Sequence, residues 1–126
     1  MTEKQLEIRE KFMAFAVRIV NLNKYLNEQK HEFNMSKQIQ RSGTAIGALQ
    51  REAHYAESNV DMIHKLRIAL KEANETGFWL ELLYRTEYIT KAEYESLNNE
   101  LVELCKILVS SIATLTKRNV DKNSAD

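Results

Sequence analysis

The chain has 126 residues, enough for one domain with one proper core, and it contains no proline and only three glycines, Gly43, Gly47 and Gly77. Strands and hairpins need turn-formers at short intervals, so an all-β fold is not expected. Apolar residues make up 44% and charged residues 29%, a globular balance, and the 18 basic side chains cancel the 18 acidic ones, so no global field draws in nucleic acid or an anionic membrane.

The amino terminus, Met1-Thr2-Glu3-Lys4, is charged and has no apolar signal core behind it. Thr2-x-x-Gln5 reads as a capping box that opens a first helix over about Glu3 to Glu28. Ile8, Phe12, Phe15, Ile19, Asn23 and Leu26 mark its inward stripe. A polar link from Lys30 to Asn34 precedes a second helix, about Met35 to Ala56, with Ile39, Ser42, Gly43, Ile46, Leu49 and Ala53 inward. Small residues dominate that stripe and invite close approach of a neighbour.

Ser58-x-x-Asp61 caps a third helix, about Asn59 to Glu87. There Ile63, Leu66, Leu70, Ala73, Gly77, Leu80 and Tyr84 recur at three and four. Thr90-x-x-Glu93 is a second capping box, opening a fourth helix to about Lys117. Tyr94, Leu97, Leu101, Leu104, Leu108, Ser111 and Leu115 give it a bundle seam. Residues 119–126 read as a polar, disordered tail, leaving 1–118 as the domain. Long helices on short links predict an all-α, antiparallel up-down-up-down four-helix bundle.

No run approaches the roughly 20 apolar residues of a membrane span. Cys105 is the only cysteine, which excludes an internal disulfide and suits a reducing compartment, so the cytoplasm is the expected location.

Two helices carry more apolar surface than one stripe needs. On the third, Ile68, Trp79 and Leu82 point roughly opposite Leu66 and Leu70 by helical geometry. On the fourth, Val102, Cys105, Val109 and Ile112 widen the seam, and Thr44, Ala45 and Ala48 offer a flat outward side on the second. Contiguous apolar sets of this kind mark interfaces, so a homo-oligomer is expected.

At the second helix the residues become specific. Gln38-Ile39-Gln40-Arg41-Ser42-Gly43-Thr44-Ala45-Ile46-Gly47-Ala48, followed by Arg51-Glu52-Ala53, resembles the signature of the bacterial 23S ribosomal RNA intervening-sequence proteins. Lys71-Glu72-Ala73-Asn74-Glu75-Thr76 and Trp79-Leu80-Glu81-Leu82-Leu83 look like the third helix of the same family. The resemblance covers nearly the whole chain. Leu49 departs from it, standing where the family often has asparagine.

What the resemblance implies is a four-helix bundle in a closed homo-oligomer, commonly a pentamer, with the bundles as staves. A related branch, the accessory variability proteins of diversity-generating retroelements, binds nucleic acid and a reverse transcriptase through basic surfaces on a similar ring.

Catalytic and metal chemistry find little support in the residues. Di-iron bundles need inward glutamates and Glu-x-x-His pairs on mid-bundle helices. Here Glu28-x-x-His31 ends a helix, while in Asp61-x-x-His64 the aspartate opens one and the histidine faces away from Leu66. Cys105 sits among leucines, where a thiol pKa rises. Gly43-x-x-x-Gly47 lies inside a helix too polar to cross a bilayer, so it reads as close packing. No enzyme activity, metal or cofactor is expected.

Basic residues give the remaining signal. Lys37, Arg41 and Arg51 lie within about 80° of one another on the second helix, with Tyr55 in line, and Lys71 joins His64 on the third. Such a stripe could hold RNA or DNA phosphates, with Tyr55 for stacking. Against it stand Glu52, Glu72 and Glu75, and Arg41 has the alternative of pairing with Glu52 or Glu72. The two functional expectations are therefore nucleic-acid binding through that stripe and a protein-interaction ring that docks a partner through Trp79, Leu82 or Tyr55.

Overall fold

A computed structural model describes residues 1–125, with side chains through Asp121. Four helices follow in chain order: α1 (Glu3–Lys30), α2 (Asn34–His54), α3 (Asn59–Arg85) and α4 (Lys91–Ala125). Links of three, four and five residues force antiparallel neighbours. Each helix packs on the next, α1 meets α4 more sparsely, and the diagonal pairs make no close backbone approach. The result is an up-down-up-down bundle with four lateral faces.

The helix starts follow local chemistry. Thr2 and Gln5 close the predicted capping box, with Gln5 N–H donating to Thr2 Oγ1 at 3.1 Å and Thr2 N–H to Gln5 Oε1 at 2.9 Å. Thr90 and Glu93 do the same for α4, both bonds at 3.1 Å. Ser58 Oγ accepts from Asp61 N–H at 3.1 Å at the head of α3.

The start of α2 is different, because Phe33 at its N-cap has no side chain to offer. The Glu32 carboxylate, one residue earlier, accepts from Ser36 N–H at 2.9 Å instead, placing negative charge where the helix dipole favours it. A polar cluster extends from there. Asn23 Nδ2 donates to the Ser36 carbonyl at 3.0 Å, and Asn27 Nδ2 donates to Asn23 Oδ1 at 3.1 Å. Asn23, predicted inward among apolar residues, is half-buried within this cluster.

α1 ends at His31, whose φ of 52° is left-handed, with Glu32 N–H donating to the Leu26 carbonyl at 2.9 Å. α4 has no glycine or proline to stop it near Lys117, and its backbone stays helical to Ala125, eight residues past the predicted end and into the stretch read as a tail. Asp126 lies outside the described residues.

The core is built on Phe12, Phe15, Ile19, Leu26, Ile39, Ile46, Leu80, Leu83 and Leu108, all nearly inaccessible. The seam of α4 buries Leu97, Leu101, Leu104, Leu108 and Leu115 as predicted. α3 is rotated relative to the prediction. It buries Ala69, Thr76 and Leu83, while Leu70, Gly77 and Tyr84 are half-buried. The small stripe of α2 draws α3 toward it, and Thr76 hydrogen-bonds Ser42 at 2.9 Å across that seam.

α1 approaches α2 closely as well. A Cβ on Gly43 would lie 2.8 Å from Ile19 Cγ2, so only glycine fits there without displacing a core side chain.

Candidate functional site

The α2/α3 face is closed by ions. Arg41 pairs with Glu72 at 3.3 Å and also with Glu75, whose carboxylate accepts from Trp79 Nε1 at 3.1 Å. Lys65 lies 4.0 Å from Glu52 on the same face. Of the two alternatives for Arg41, the structure has the ion pair within the bundle.

The α4/α1 face is closed in the same way. Arg18 reaches Glu100 at 2.9 Å, and Lys11 pairs with Glu103. The Glu103 hydrogen bond and charge hold the Lys11 ammonium above its ordinary value.

Among the described residues, no ion pair joins α1 to α2 or α3 to α4. These two faces carry exposed apolar side chains instead. Phe12, Ile19 and Asn23 meet α2, Met13 lines the cleft between α1 and α2, and Leu6 and Val17 stand within about 40° of Met13 on the outward side of α1. Leu101 touches Gly77 across α3/α4, and Val102 and Val109 flank that contact on α4, while Phe78, about 20° round the helix from Lys71, stands on the outward side of α3. These six side chains are between 41% and 58% exposed.

The predicted apolar set is thus divided. Thr44 and Ala48 line a cleft of about 720 Å³ between α1 and α2, with Met13, Ala16 and Gly47. Val102 and Val109 stand on the opposite face. Ala45, Ile68 and Leu82 are half-buried, and Trp79 packs against the core edge instead of pointing away from it. Sequence reasoning passed over Leu6, Met13, Val17 and Phe78. The seven-and-four spacing of the first three, off the main stripe, was the available signal.

The predicted basic stripe is also divided. Arg41 is ion-paired and Lys37 is exposed beside it in a shallow groove. Lys71 is exposed on α3, four residues and about 40° round the helix from Glu75, the second partner of Arg41. Arg51 and Tyr55 lie at the end of the bundle where α1 begins and α2 and α4 finish. A second cleft, of about 540 Å³, opens there. Lys4, Arg9, Arg51, His54 and Arg118 line it, and no carboxylate among the described residues does. Its apolar surface comes from Ile8, Ala53, Met62, Leu66 and Leu115. Arg9, Arg51 and Tyr55 border both clefts.

The remaining candidates stay apart. His31 forms the C-cap of α1, His64 is exposed, and Asp61 lies 4.0 Å from Lys65. No three His, Cys, Asp or Glu side chains cluster as metal ligands among the described residues. Cys105 is half-buried, and burial pushes its thiol above the ordinary value. No helix among the described residues is long and apolar enough to cross a membrane.

No curated protein matches the sequence. A crystal structure of a protein of unknown function from the S23 ribosomal protein family, from Bacteroides thetaiotaomicron VPI-5482, is similar at 61% identity and a TM-score of 0.82. The match covers 83% of this chain and 97% of that one. Residues 4–110 match the family described as 23S rRNA-intervening sequence protein. The chain belongs to that family.

Proposed function

We propose that the protein is a non-enzymatic, homo-oligomeric scaffold in which bundles stand side by side as staves. One observation carries this reading: ion pairs close two opposite faces of the bundle, and exposed apolar side chains occupy the other two. Met13, with Leu6 and Val17 beside it on α1, would meet Val102 and Val109 on the α3/α4 face of the next copy.

The occupant is a second copy because the two apolar faces lie on opposite sides of one chain and neither presents an interhelical ion pair among the described residues. Joining two different faces is a head-to-tail contact, which closes into a ring when the faces are inclined. A closed ring, commonly of five, is also what the family resemblance implies. Native mass spectrometry of the purified protein tests the reading, which requires a single discrete multiple of the chain mass.

Nucleic-acid binding is a second reading, favoured by Arg51, which lines the basic end without an ion-pair partner among the described residues. Binding to structured RNA and duplex DNA, titrated against salt, tests it through the linear fall of log affinity with log salt.

A further inference from the structure

We propose that the basic end cleft is a binding site for a nucleoside phosphate. The proposal rests on a cleft contained within one chain and does not depend on the assembly described above.

Charge comes first. Lys4, Arg9, Arg51 and Arg118 converge on the cleft with His54, and none of the four permanent cations makes an ion pair or side-chain hydrogen bond among the described residues. Elsewhere on this chain Arg41, Arg18 and Arg85 have carboxylate partners. Glu3 and Glu7 sit on the same helical turns as these cations yet do not line the cleft, and Glu52 lies in the adjoining α1/α2 cleft, 4.0 Å from Lys65. Arg9 and Arg51 are half-buried there, and uncompensated cations in a partly dry site attract an anion. Guanidinium forks fit the paired oxygens of a phosphate.

Shape and lining add the organic part. A volume of about 540 Å³ falls within the usual range for small-molecule sites and exceeds what a bare phosphate needs. Ile8, Met62, Leu66 and Leu115 give an apolar wall, and the exposed Tyr55 ring stands at the rim, available for stacking. Ser110, Ser111 and Thr114 offer hydroxyls along the α4 side, suited to a sugar. The ligand is either a free mononucleotide or the phosphorylated end of a strand, which share this chemistry.

The experiment is calorimetric titration of the full chain with adenosine 5′-monophosphate, adenosine, inorganic phosphate, and a single-stranded hexanucleotide with and without a 5′-phosphate. The monophosphate should bind at least tenfold more tightly than adenosine or phosphate alone. Arg9→Gln with Arg51→Gln should weaken it at least tenfold at unchanged helicity. Thr114→Glu, an exposed change that places a carboxylate in the cleft, should do the same. Tighter binding of the phosphorylated hexanucleotide than of the mononucleotide identifies a strand end, and the reverse identifies a free nucleotide. No binding of either phosphorylated probe overturns the proposal, as does binding untouched by all three substitutions. Loss of assembly with binding retained would count against the scaffold reading and leave this one standing.

Discussion

Ser42 Oγ and Thr76 Oγ1 lie 2.9 Å apart, both fully buried, as a hydrogen-bonded hydroxyl pair between α2 and α3. Thr76 Oγ1 is also 2.8 Å from the Glu72 carbonyl, whereas the nearest backbone acceptor for Ser42 is the Ile39 carbonyl at 3.5 Å. Ser42 therefore depends on Thr76 more than the reverse. Thr76→Val keeps the shape and removes that partner, and should destabilise the fold by about 1–3 kcal/mol. Adding Ser42→Ala should recover part of the loss, since an unmet buried polar group is worse than none. Urea denaturation of the four proteins in the cycle measures this, and strict additivity would contradict it.

The same seam explains which part of α3 was legible. Stepping from Leu66, both Leu70-Ala73-Gly77-Leu80-Tyr84 and Ala69-Ala73-Thr76-Leu80-Leu83 keep a helical period. Apolarity favours the first path because it avoids Thr76. Only the position of Ser42, 34 residues earlier, makes Thr76 acceptable inside. α4 offered no such choice, and its leucine seam was readable directly.

Two glycines should respond oppositely to alanine. At Gly43 a Cβ would stand 2.8 Å and 2.9 Å from carbons of the fully buried Ile19, so Gly43→Ala should destabilise by about 1–3 kcal/mol through overpacking. At Gly77 the nearest atom is Leu101 Cδ2 at 3.5 Å, an ordinary contact, and Gly77→Ala should gain up to about 1 kcal/mol of helix propensity. Thermal melts of both variants check the contrast in sign.

Arg41 marks where sequence reading of the candidate site ran out. Its side chain is half exposed, and the residues leave it two roles, phosphate ligand or partner of Glu52 or Glu72; only the folding back of α3 brings Glu72 and Glu75 to it. Arg41→Ala should change stability by no more than about 1 kcal/mol, given solvent screening. If RNA or DNA binds, Arg51→Gln should reduce the salt dependence while Arg41→Ala leaves it alone. The basic end was harder still to foresee, since Lys4, Arg9, His54 and Arg118 come from three helices and share no local motif.

Burial raises the Cys105 thiol, so the folded state holds its proton more tightly than the unfolded chain does. The associated stability is complete below the ordinary thiol value and is lost as pH rises through the folded one, which confines the effect to alkaline solution. Alkylation by iodoacetamide near pH 8 should accordingly be slower in the native protein than in denaturant. Equal rates would contradict a half-buried, desolvated thiol.

Complementation of face variants tests the head-to-tail scaffold most directly. One protein carries Met13→Glu and Val17→Glu on the α1/α2 face, and the other carries Val102→Glu and Val109→Glu on the α3/α4 face. Each keeps one intact face. Light scattering should give the 14.7 kDa chain mass for each variant alone, a one-to-one pair of twice that mass for the mixture, and a larger closed assembly for the unaltered protein. An unaltered protein that stays at the single-chain mass, or variants that still assemble fully alone, would contradict the account.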